Sequence, residues 1–140
     1  MAYEAVLRER LEDPIDFIVA DGTGIEKGTI LKITDPRTAI IVSGTADKLA
    51  GIAAREKVAN DGRTRLAVFR RGIFDMQASG AINVGDAVEA VGASGSVNQV
   101  KIAAATSSGA SILGTALETA SDAEVIQILV NIGAGGAAVS

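Results

Sequence analysis

The sequence predicts an all-β chain: a small β-barrel or β-sandwich-like domain of two similar β units, preceded by an extended N-terminal arm. Three observations predict it. Of the 67 hydrophobic residues in 140, 28 are Val or Ile, 25 are Ala and only 8 are Leu, and β-branched side chains favour strands over helices. Short apolar runs recur between Gly, Asn, Asp and Pro turn residues. The chain also echoes itself, with Ile25-Glu-Lys-Gly28-Thr-Ile-Leu31 answered by Ile82-Asn-Val-Gly85-Asp-Ala-Val88.

Residues 1–24 differ from the rest. Tyr3, Val6, Leu7 and Leu11 could line one helical face, but Asp13-Pro14 breaks that pattern, and Ile15, Phe17 and Val19 then alternate before Asp21-Gly-Thr-Gly24. Alternation shows that one face is buried but not against which chain, so the segment reads as an arm reaching a neighbour or as an edge strand on its own domain. Residues 25–133 form the expected β-rich domain and 134–140 a flexible C-terminal tail.

Within that domain, strands are expected at 29–34 and 39–43, separated by the Asp35-Pro36-Arg37 turn, with one helical turn at 45–50. Asn60-Asp61-Gly62 marks a hairpin between 53–58 and 65–69, because these residues tolerate positive φ. Further strands are expected at 73–76, 87–91, 97–103, 112–117 and 124–131. A second echo pairs Gly51, Ala59-Asn-Asp61 and Leu66-Ala-Val68 with Gly114, Ala120-Ser-Asp122 and Ile128-Leu-Val130. Gly28 to Gly51 is 23 positions and Gly85 to Gly114 is 29, so a six-residue insertion is expected within 92–111.

Composition narrows the chemistry. With no His and no Cys, the usual nucleophiles, general bases and zinc ligands are missing, so neither catalysis nor a metal or cofactor is expected. Carboxylate pairs are the remaining catalytic material, Asp61 with Asp75 or Asp122 with Glu124, and each carboxylate has an ordinary turn or strand role. The paired glycines of Asp21-Gly-Thr-Gly24 lead into a strand rather than the helix a phosphate loop requires. Thirteen Lys and Arg against 17 Asp and Glu leave a net charge of −4, the wrong sign for phosphate neutralisation, so nucleic acid is not an expected partner. After Lys101 there is no basic residue, while Glu118, Asp122 and Glu124 remain, so an oppositely charged partner would face that end. Neither a secretory leader nor a membrane span is expected.

Arg70-Arg71-Gly72 interrupts a strand-like run. Adjacent strand residues point to opposite faces, so one guanidinium either needs a partner at an interface or is solvated at a bulge.

From Ala50-Gly-Ile-Ala-Ala-Arg-Glu-Lys-Val-Ala-Asn-Asp-Gly62 and Leu66-Ala-Val-Phe-Arg-Arg-Gly-Ile-Phe-Asp-Met76, the sequence resembles the capsid cement, or head decoration, proteins of tailed phages. The likeness continues through Ser79-Gly-Ala-Ile-Asn-Val-Gly-Asp-Ala-Val88, Ile112-Leu-Gly-Thr-Ala-Leu-Glu-Thr-Ala120 and 125–133. It implies a β-rich domain that binds the outer surface of an icosahedral shell, often as a trimer, with an arm across neighbouring subunits. The implied partners are the major capsid protein and further copies of the chain, the implied location the outside of the virion after synthesis in the host cytoplasm. No catalysis and no cofactor are implied. The family offers no fixed site motif, so interface residues come from this sequence: Ile15, Phe17 and Ile18 as apolar anchors, Tyr3 and Leu7 nearer the tip, and Arg70 with Arg71. A competing class is a carrier or ligand-binding β domain, since Ile82-Asn-Val-Gly-Asp-Ala-Val88 also resembles the hairpin leading into lipoyl and biotinyl carriers. The modified Lys at a hairpin tip that such carriers present has no counterpart here.

Overall fold

A computed structural model describes residues 4–45, 47–92, 98–104 and 109–132. Its strands are β1 (Val6–Arg10), β2 (Ile15–Ile18), β3 (Ile30–Asp35), β4 (Thr38–Ile41), β5 (Leu49–Ala53), β6 (Arg65–Phe69), β7 (Arg71–Ala78), β8 (Ala87–Ala90), β9 (Gln99–Ile102), β10 (Ile112–Ala116) and β11 (Val125–Asn131). Strands β2, β4, β3, β5 and β6 close one barrel in that order, and β7, β9, β8, β10 and β11 close a second, with β1 added along β7. Closure removes the sheet edges that a small β domain would otherwise expose.

The barrels are one unit used twice. Each is sealed by a parallel pair, β2 with β4 and β7 with β9, and every other neighbouring pair is antiparallel. The ladders superpose residue for residue. Ile30↔Ile52, Leu31↔Gly51 and Lys32↔Leu49 recur as Ala87↔Thr115, Val88↔Gly114 and Glu89↔Ile112, including the bulge. Likewise Phe17↔Leu66 recurs as Met76↔Ile126, and Ile33↔Ala39 as Ala90↔Val100. The six extra residues of the second unit fall between β8 and β10, inside the expected window.

The second echo from the sequence shifts by two: Leu66 is answered by Ile126 and not by Ile128. The bridge Ile25↔Lys57 repeats as Ile82↔Ala120, so Ala120 answers Lys57 rather than Ala59. Lys57 to Leu66 spans nine positions and Ala120 to Ile126 six, and the longer turn misaligned the echo. That turn carries Asn60 at φ 62° and Gly62 at φ 84°, as its chemistry requires.

Three local expectations change. The strand expected at 53–58 and the helical turn expected at 45–50 give way to β5, which occupies Leu49–Ala53 and buries all five residues. The stretch read as an arm is woven into both barrels: β1 pairs with β7, and β2 lies between β4 and β6. Its alternation serves the chain's own core, with Phe17 and Val19 each 2% exposed inside the first barrel. The first repeat unit therefore starts at Ile15, not at residue 25. The expected tail at 134–140 lies outside the described residues.

Gly51 and Gly114 show why the unit closes tightly. A Cβ at Gly51 would run into the Phe69 carbonyl oxygen, and one at Gly114 into the Leu129 carbonyl oxygen, the same contact in both barrels. Neither position has room for a side chain.

The barrels meet asymmetrically. Ile30, Val42, Leu49, Ile52 and Phe69 point outward from the flank of the first barrel, yet they join the core cluster that contains the interior of the second. The end of the second barrel where β7 begins is seated on that flank. Phe69 and Phe74 meet edge to face at 5.8 Å, Ile30 N–H donates to Asn98 Oδ1 at 2.9 Å, and Gly92 backs onto Gly44.

Candidate functional site

The residues singled out from sequence fall into three environments. Phe17 is core and offers no surface. Leu7 on β1 is half-buried against the cluster shared by the barrels. Ile15 and Ile18 on β2 are 40% and 39% exposed, because they lie at the strand's end and on its outer face. Arg70 links β6 to β7 half-buried, and Arg71 opens β7 exposed. Among the described residues neither guanidinium forms an ion pair. Tyr3 lies outside the described residues.

Ile18 does not stand alone. It pairs with Thr38 of β4, and Ile40, on the same outer face, is 43% exposed. A pocket of about 120 Å³ opens beside them, lined by Ala20, Thr23, Ile25, Thr34, Thr38, Ala39 and Ile40. Sequence reasoning missed Ile40, which sits in a run reading as fully buried. A second cleft, of about 300 Å³, lies where β1 crosses both barrels, with Leu7, Phe69 and Phe74 apolar and Arg10, Lys27 and Glu4 at its mouth. Arg10 stacks over the Phe69 ring at 5.5 Å.

The main charged cluster is a pin in the first barrel. Lys57 is 1% exposed, and its Nζ donates to Asp61 Oδ1 at 2.8 Å, Val58 O at 2.8 Å, Asp21 O at 2.9 Å and Asp21 Oδ1 at 3.1 Å. Burial by itself pulls the lysine pKa down, but the hydrogen bonds and charges of Asp61 and Asp21 outweigh it and hold it above the usual value. The Lys57 hydrogen bond, then the Arg63 N–H, bring Asp61 down to about 2. Both directions keep the pair ionised, which suits a structural tie and not proton transfer. Ala120 fills the equivalent place in the second barrel, so the pin is an addition to a unit that also closes without it. The sequence signal was Lys57 standing where the second unit has Ala120, hidden by the misaligned echo.

The other candidate carboxylates are also occupied locally. Asp75 faces Arg8 at 3.5 Å, Asp122 accepts from Gly80 N–H at 2.7 Å, and Glu124 accepts from Ser121 N–H at 2.6 Å. Among the described residues no group of His, Cys, Asp or Glu could hold a metal ion. No helix among them is long and apolar enough to cross a membrane.

The duplicated closed barrel holds the candidate carboxylates Asp61, Asp75, Asp122 and Glu124 in local contacts and leaves apolar side chains such as Ile18 and Ile40 on its outer faces. The chain belongs to the phage cement protein family, whose model matches residues 10–132. That membership gives it a structural role in the phage capsid. Among solved structures it is similar to the N base of head fiber gp8.5 in bacteriophage phi29, with TM-score 0.52 and 13% identity over 84% of this chain and 93% of that one. At that identity the likeness speaks for the fold. No curated protein sequence matches the chain.

Proposed function

We propose that the chain is a capsid cement subunit that binds the outside of an icosahedral phage head and stabilises it by bridging major capsid protein subunits. The observation that carries the reading is the family match across residues 10–132, which spans every strand of both barrels. Copies associate with one another as homotrimers, and the protein reaches the head from the host cytoplasm. A clip that touches several capsid subunits gains from each added contact, which is effectively intramolecular once the first has formed. The outer face of β2 and β4 supplies the capsid contact: Ile18 and Ile40 are apolar, exposed and adjacent to a small pocket. Arg71 adds a charged contact at the start of β7.

The test is sedimentation of purified protein with undecorated capsids. Saturable cosedimentation, together with heads that survive higher temperature, is the expected result. Failure of the full-length chain to cosediment removes the proposal. Ile18→Glu with Ile40→Glu is expected to weaken saturation at least tenfold without altering the melting temperature.

A further inference from the structure

The two barrels are equivalent in hydrogen-bond register but not in environment. At the end of the second barrel seated on the first, Phe74, Ala90, Asn98 and Val130 are each 1% exposed or less. Register assigns them counterparts at the same end of the first barrel: Ile15, Ile33, Arg37 and Arg70. Among the described residues nothing covers them to the same degree. Ile15 is 40% exposed, Arg37 is exposed, and Ile33 and Arg70 are half-buried.

The flank shows the converse. Ile30, Val42, Leu49, Ile52 and Phe69 of the first barrel are 5% exposed or less beneath that end. Their counterparts on the second barrel are Ala87, Ala103, Ile112, Thr115 and Leu129, each half-buried or exposed and all but one apolar. Each chain thus holds one filled joint, plus an open end on one barrel and an open flank on the other.

We infer that the open end of the first barrel docks on the free flank of the second barrel of another copy, repeating the joint that the barrels make within the chain. This deepens the self-association in the proposed function and rests on it. The occupant follows from the repeat: the surface built to sit on such a flank is the end of this same barrel unit. The joint is heterologous, so copies add end to flank and stop only when a ring closes. Ala87, Ala103 and Thr115 stand where Ile30, Val42 and Ile52 stand in the filled joint, so the joint between copies buries less and is the weaker of the two.

Sedimentation velocity of the free protein tests this with two variants at exposed positions, Ile15→Glu at the end and Thr115→Glu on the flank. The wild type is expected to form a closed oligomer at millimolar concentration, and each variant alone to sediment as a 14.2 kDa monomer. An equimolar mixture retains one good end and one good flank and is expected to stop at a dimer. A monomeric wild type, variants that assemble like it, or a mixture that stays monomeric overturns the inference. Capsid cosedimentation is scored separately, so a monomer that still decorates heads refutes the joint and the free trimer and spares the binding to the capsid.

Discussion

Neighbouring residues on β2 have opposite fates. Phe17 fills the first barrel, and Phe17→Ala is expected to cost about 3–5 kcal/mol in urea denaturation. Ile18 faces out, and Ile18→Ala should stay within about 0.5 kcal/mol while reducing capsid binding. Equal stability losses would contradict the assignment of faces. At Gly114, Ala is expected to destabilise by about 1–3 kcal/mol because its methyl meets the Leu129 carbonyl oxygen. An unchanged denaturation midpoint would show that the strands can spread there. The Lys57 pin sets a pH window. Asp61 titrates at about 2 when folded against an ordinary 3.8, so its contribution is present above 3.8 and disappears as pH falls through about 2. Lys57 is raised above 10.5, so its contribution is full below that value and fades only in stronger alkali. Thermal melts should therefore show an acid-side loss that Asp61→Asn flattens, with a lower melting temperature at neutral pH. An identical acid slope in the variant would place the titrating group elsewhere.

Among the strands, β1 and β2 differ in what they support. The parallel partner β9 reaches β7 only at Gln77 and Ala78, and β1 covers the remaining edge from Gly72 to Asp75. Removing residues 1–11 is expected to leave both barrels closed by circular dichroism but to promote aggregation through that bared edge, read by light scattering. Removing 1–20 also takes β2 and should unfold the first barrel, so such a truncation tests a barrel strand and not only an arm. A melting curve for that truncation equal to the full chain's would mean that β2 is dispensable. Strand positions were legible because turn chemistry is local: Asp35-Pro36-Arg37 and Asn60-Asp61-Gly62 stop strands wherever they fall. The β5 boundaries were not, since Leu49 to Ala53 is buried on both faces and loses the alternation that marks a half-buried strand.

Over the whole molecule, duplication organises everything else. Interior positions tolerate exchange of apolar residues between the units, Phe17 for Met76, Leu31 for Val88 and Ala50 for Leu113, because total volume per barrel matters more than identity at one site. By itself the sequence determined the all-β class, the two similar units, the six-residue insertion and the lack of thiol and imidazole chemistry. These follow from composition, local turn preferences and spacing. Only the tertiary structure decided that β2 belongs to the first barrel, that Lys57 is pinned by Asp21 and Asp61, and that one barrel's end caps the other's flank. An alternating strand announces that one of its faces is buried, but its partner is selected by contacts between residues far apart along the chain, to which local pattern is blind.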